Sequence, residues 1–172
     1  MKEKEIKPKA GRKSLAGLLP AARRGKVEQL RALLDDGANI ERKNNHGHTA
    51  LVQAAGCGRS ECVQLLLDRG ADVNAGRRVS ALAYASLNGH MECIRILLDY
   101  GADIDLPSYY GMTPLMCACF HGRNECVALL LERGADTTVI DSDGQTVASY
   151  CFSAEMSKLL LDASNKTDYV LK

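Results

Sequence analysis

Four thiol and imidazole side chains crowd one short stretch of this chain: Cys117, Cys119, His121 and Cys126. Thiolate and imidazole are the ligands that zinc takes in tetrahedral sites. The spacing argues against such a site. On a helix, residues two apart point about 200° apart, so Cys117 and Cys119 do not readily share one ion. His46 and His48 alternate around a turn and could hold a metal with Cys57, but no further ligands follow at zinc spacing. His90 follows Gly89, where a helix-end contact explains it. The chain has no G-x-S-x-G, no phosphate-binding loop, no H-E-x-x-H and no EF-hand loop. Gly56-Cys57-Gly58 is a lone G-x-G without a preceding strand pattern. The expectation is a non-enzymatic chain with no cofactor, no bound metal and no small-molecule substrate.

The elements that carry these residues recur. Gly-Ala-[Asp/Asn] stands at Gly37-Ala38-Asn39, Gly70-Ala71-Asp72, Gly101-Ala102-Asp103 and Gly134-Ala135-Asp136. A period of roughly 31–33 residues marks stacked supersecondary units. In such an array each unit mainly buries its neighbour, and a long surface is left for a partner.

Other features recur at fixed phase. Thr49-Ala50-Leu51-Val52, Ser80-Ala81-Leu82-Ala83 and Thr113-Pro114-Leu115-Met116 open the units, with a decayed Thr146-Val147-Ala148-Ser149 at the end. Small pairs follow: Ala54-Ala55, Ala85-Ser86 and Ala118-Cys119. Then come Gly58, Gly89 and Gly122, and the runs Leu65-Leu66-Leu67, Leu97-Leu98 and Leu129-Leu130-Leu131. Thr or Ser can cap a helix by accepting from its free amides. Pro114 fits a first turn, where no amide partner is lost. Small pairs let helices approach, and a glycine supplies the positive φ that ends one. Each buried Leu contributes roughly 1.5–3 kcal/mol. Cys62, Cys93 and Cys126 share one phase, where stacked helices are ~8–10 Å apart. That exceeds the ~7 Å that a disulfide can bridge, so buried, reduced thiols are expected.

This pattern closely resembles the ankyrin repeat, a loop or β-hairpin followed by two antiparallel helices. The resemblance covers about residues 14–165 and implies an all-α solenoid. A basic leader is expected at 1–13 and a frayed tail at 166–172. Between them the expected units are an N-terminal cap at 14–43, full repeats at 44–74, 75–107 and 108–138, and a C-terminal cap at 139–165. Pro20 is placed at the true first turn of the cap helix. The second full unit lacks two residues and its loop glycine, so Ala75-Gly76-Arg77-Arg78 predicts a shortened tip.

The resemblance implies a concave binding face built from the loop tips and first helices. By phase that face receives His46, His48, Arg77, Arg78, Leu87, Asn88, Tyr109, Tyr110, Met112, Phe120 and His121. Aromatic side chains gather in the third full unit, although the chain has only six Tyr and two Phe. The binding centre is therefore expected there, because hot spots favour Tyr, Trp and Arg. The resemblance also implies that Asn74 can be a site of Asn hydroxylation, with support of its loop as the plainer role.

Charge supports an alternative. Residues 1–26 hold nine Lys or Arg against two Glu, whereas residues 27–172 hold thirteen against nineteen Asp or Glu. A basic start can contact nucleic acid or an anionic membrane, and the acidic remainder argues against it. No apolar run approaches the ~18 residues of a membrane span. The first residues carry no apolar stretch of a secretory signal. The expected molecule is a monomer of the cytoplasm, or of the nucleus, bound to a partner protein of unspecified identity.

Overall fold

A computed structural model describes residues 17–76, 78–108 and 110–170, with side chains described to residue 163. Among the described residues eight α-helices follow one another in pairs: α1 (Leu18–Arg24) and α2 (Val27–Asp35), α3 (Ala50–Gly56) and α4 (Ser60–Asp68), α5 (Ala81–Asn88) and α6 (Met91–Asp99), α7 (Pro114–Phe120) and α8 (Asn124–Glu132). A 3-10 turn (Val147–Tyr150) and α9 (Ala154–Val170) close the array. No strand occurs among the described residues, so the connections are loops. The fold is an all-α solenoid. First helices α1, α3, α5 and α7 stack in one row, and α2, α4, α6 and α8 in a second.

The capping residues do what their types predict. Thr49, Ser80 and Thr113 accept from the amides of Val52 (3.3 Å), Ala83 (3.1 Å) and Met116 (3.3 Å), and all three are buried. Pro114 opens α7, and Pro20 lies in the first turn of α1. Inside, Leu51, Leu66, Leu82, Ile94, Leu97, Leu115 and Leu130 are almost wholly shielded. The small pairs let neighbouring first helices touch. Ala54, Ala55, Ala85, Ser86, Ala118 and Cys119 are all buried. Cys62, Cys93 and Cys126 are buried and free. Burial pushes the thiols of Cys93 and Cys126 up to about 11.

The ends differ from the middle. Thr146 makes no side-chain cap, and only one 3-10 turn follows it. The cause lies six residues on. Positions six after the capping residue hold Ala55, Ser86 and Cys119, all buried, whereas the terminal unit has Phe152, which is 76% exposed. A phenyl ring cannot enter a slot shaped for a methyl group, so the helix stops before it. The tail expected to fray from residue 166 is instead helical, because α9 runs on to Val170. In α9, Leu160 packs inward while Leu161 is 64% exposed.

Gly76 has φ +154°, and a Cβ there would lie 2.3 Å from the Val79 carbonyl oxygen. No residue but glycine fits.

Candidate protein-binding face

Three rows of polar contacts hold successive units in register, and so set the positions of the loop tips. In the first row, the Glu41 carboxylate accepts the Asp72 amide (2.8 Å), Asn74 Oδ1 accepts the Asp103 amide (2.9 Å) and the Asp105 carboxylate accepts the Asp136 amide (3.0 Å). In the second, residues just before the second helices reach back to the ends of first helices. Arg59 Nε donates to Arg23 O (3.2 Å), His90 Nε2 meets Gly56 O (3.2 Å) and Arg123 Nε donates to Leu87 O (3.1 Å). Carbonyls at a helix C-terminus lack intrahelical partners, and these side chains satisfy them. In the third, Arg69 pairs with Asp35 (2.6 Å) and Arg133 with Asp99 (2.9 Å). Between them the Tyr100 hydroxyl donates to Asp68. His90 is thus a structural residue, as its position predicted.

The tips close on themselves. Asn44 N donates to His48 O (3.0 Å), Ser108 N to Met112 O (2.9 Å) and Asp141 N to Gln145 O (3.0 Å). Neighbouring tips also meet, since Ser142 N donates to Tyr110 O (3.1 Å). Gly111 permits this approach. Its φ is +75°, and a Cβ would come 2.7 Å from Ser142 N.

The expected site residues divide into groups. Tyr110 is 70% exposed and Phe120 is 52% exposed. The Phe120 ring stands edge-on to Tyr150 (5.9 Å) and to His121 (5.1 Å), and the His121 ring contacts Cys117 O (3.1 Å). Tyr150 in turn donates its hydroxyl to Asp141, which pushes the phenol up to about 12. Met112 is half-buried and packs against the core, so its thioether serves the fold more than the face. Leu87 and Asn88 are half-buried as well, and Asn88 Nδ2 bonds Tyr84 O (2.9 Å) within α5. Arg78 is exposed. Arg77 and Tyr109 lie outside the described residues.

At the opposite end, His46 is exposed and His48 is half-buried. The Asn44 carboxamide holds both backbone amides (2.9 and 3.0 Å), and His48 Nδ1 meets Gln53 Nε2 (2.8 Å). The His48 ring also lies against Tyr84 (5.5 Å). Burial, then the neighbouring His46, lowers the His48 pKa. Among the described residues no group of three His, Cys, Asp or Glu comes together to hold a metal ion. No helix among them is long and apolar enough to cross a membrane.

A cleft of about 490 Å³ opens between α1 and the loop at 42–46. Among the described residues its charged lining is basic: Arg23, Arg24, Arg42 and Lys43, with His46 beside them. Arg23 and Arg24 belong to the basic segment 1–26 noted in the sequence, whereas Arg42 and Lys43 lie outside it. They precede the tip by only one or two residues, and basic residues at that phase recur in no other unit. Tyr150 and Phe152 were not foreseen from the sequence. Phe152 had a signal, because a large residue stands at a phase that is small in every other unit.

A row of tips stands beside a row of short helices, with exposed apolar rings at one end and guanidinium groups at the other. The comparisons give the family. The sequence matches the family described as ankyrin repeats (3 copies) over residues 6–77 and 75–141, and the chain belongs to that family. It is 36% identical over 94 residues to ankyrin repeat and KH domain-containing protein 1 of Homo sapiens, covering 52% of this chain and 4% of that protein. It is 40% identical over 67 residues to the mitochondrial disaggregase of Homo sapiens, covering 39% of this chain and 10% of that one. With ankyrin repeat domain-containing protein 29 of Homo sapiens it shares 41% over 58 residues, or 33% of this chain and 19% of that protein. The chain thus spans a small part of each relative. Ankyrin repeats are in general protein–protein interaction modules, and the family is typically non-enzymatic.

Proposed function

We propose that this chain is a scaffold, adaptor or inhibitor without catalytic activity, and that it holds a partner protein along its loop tips and first helices. One observation carries the reading. Tyr110, 70% exposed on a loop tip, and Phe120, 52% exposed at the end of α7, present large apolar rings on elements that cross-unit contacts hold in place. Rings of this kind bring contact area with little loss of rotamer entropy. At the other end of the row, the basic cleft favours carboxylates of the partner, which would set its direction along the array. The reading takes the module as a monomer acting in the cytoplasm or nucleus.

The basic cleft also supports a second reading, binding of nucleic acid or an anionic membrane through residues 1–26 and the cleft beside them. Affinity capture from native lysate separates the two. Wild type is compared with Tyr109→Ala/Tyr110→Ala/Phe120→Ala at two salt concentrations. A protein lost from the variant, with its helical circular dichroism intact, supports the partner-protein reading. Nucleic acid or lipid that leaves both baits at high salt, with nothing lost from the variant, supports the second.

A further inference from the structure

Two thiols of adjacent units meet at the terminal turn. Cys119 closes α7 in a wholly buried position. Cys151 follows the 3-10 turn and is half-buried. Their sulfur atoms are 3.3 Å apart, and Cys151 Sγ also lies 3.5 Å from Val147 O. Each cysteine adjoins one member of the ring pair just described, Phe120 on one side and Tyr150 on the other.

We propose that Cys119 and Cys151 are a modification site, at which a reversible intramolecular disulfide fastens the terminal turn to the third full unit beneath the Phe120–Tyr150 pair. The proposal stands apart from the choice of partner. The oxidant belongs to the class of low-molecular-weight disulfides, RSSR. Cys151, the more accessible thiol, loses its proton to solvent and attacks one sulfur of RSSR. A Cys151–S–S–R bond forms, the R–S–S–R bond breaks, and RS⁻ leaves and takes up a proton. Cys119 then loses its proton, and its sulfur attacks Cys151 Sγ and displaces the second RS⁻, which is protonated in turn. Two cysteine thiols are oxidised by two electrons, and RSSR is reduced to two RSH.

The order of these events follows from burial. Burial and the neighbouring Cys151 push the Cys119 thiol far above the usual range, so it is the slow partner until its target lies in contact. A disulfide bond is about 2.0 Å long, so the sulfurs need to approach by roughly 1.3 Å from their separation of 3.3 Å. The adjoining turn is a single 3-10 turn with no side-chain cap.

The test uses the full chain with oxidised glutathione. Expected is a product lighter by two hydrogens, a cross-linked peptide pair containing Cys119 and Cys151, loss of both thiols from alkylation, and a melting temperature raised by several degrees. Dithiothreitol reverses all four. Cys119→Ala keeps the fold, because Ala55 occupies the same slot in the first full unit. That variant stops at a glutathione adduct on Cys151 and gains no melting temperature. Cys57, half-exposed at the end of α3, reports ordinary glutathionylation. The proposal is overturned if wild type accumulates the Cys151 adduct without the cross-link. It is equally overturned if the product is an intermolecular dimer, or if Cys151 reacts no faster than Cys57.

Discussion

Asn74 Oδ1 accepts the backbone amide of Asp103 at 2.9 Å, across the boundary between two units. The acceptor leaves with Asn74→Ala, and the Asp103 amide must find water. The expected cost is about 1 kcal/mol, the usual net worth of such a bond. Asn74→Asp keeps an acceptor oxygen, as Asp105 does one unit on, and should lose far less at neutral pH. Urea unfolding of the two variants checks this. Equal losses would show that the cross-unit bond is not the cause.

Gly111→Ala should loosen the last tip. The left-handed backbone costs about 1–2 kcal/mol for an L-residue. The added methyl also meets Ser142 N, at 2.7 Å, so the tips must part. Amide exchange is the direct measurement. Faster exchange at Ser142, with Val52 and Ala83 unchanged, is the expected result.

The Tyr150–Asp141 bond makes the terminal turn sensitive to pH at both extremes. The Tyr150 hydroxyl first, then the Gln145 amide, holds the Asp141 carboxyl below its usual range. Its contribution is therefore present above about pH 4, the unfolded value, and is lost as pH falls through the lower folded value. Tyr150 is shifted the other way. Its contribution is complete below about pH 10, the unfolded value. It is lost as pH rises through about 12. Tyr150→Phe should abolish the alkaline arm and weaken the acid one, read by near-ultraviolet circular dichroism. An unchanged alkaline arm would refute the assignment.

Two leucines in like-looking runs should behave differently. Leu66 is 0% exposed and Leu161 is 64% exposed. Leu66→Ala is expected to cost about 2–5 kcal/mol, and Leu161→Ala to stay within about 0.5 kcal/mol of wild type. Thermal unfolding separates them, and similar losses would place α9 differently from the packing described.

Reversing charge in the basic cleft should act on association more than on folding. Arg24→Glu/Lys43→Glu leaves the melting temperature near wild type, since both side chains are exposed. The association rate with an acidic partner should fall, and its salt dependence should flatten. Stopped-flow mixing with the captured partner measures both, and an unchanged rate would remove the cleft from the binding face.

The repeated half of the fold was legible in sequence because each signal had a local cause. Thr49, Ser80 and Thr113 cap, Pro114 opens a helix and the paired small residues admit a neighbour. These causes act within a few residues, so a fixed phase exposes them. The cross-unit rows were not legible. Glu41, Asn74 and Asp105 play one part with three side chains, and Tyr100 replaces an arginine in another row. Chemistry is shared there while residue type is not, and a motif cannot report it. Met112 illustrates the opposite error. Its phase put it at a tip, but its flexible thioether folds back onto the core. The contact of Cys151 with Cys119 follows no repeated motif, so no fixed phase announces it.

Every rung of the three rows joins a unit only to the next one. Asn74 and Asp103 are 29 residues apart, and Glu41 and Asp72 are 31. The second unit has already lost two residues from its tip, and its rung survives because the missing residues lie outside the rung. Such an array has a grammar for length change. Gain or loss of a complete unit rejoins equivalent rungs, and trimming of a tip leaves them untouched. Removal of a few residues from inside a helix would put the donors and acceptors of that unit out of step with both of its neighbours. Length variants of this protein that remain folded should therefore differ by tips or by whole units, and seldom by anything between.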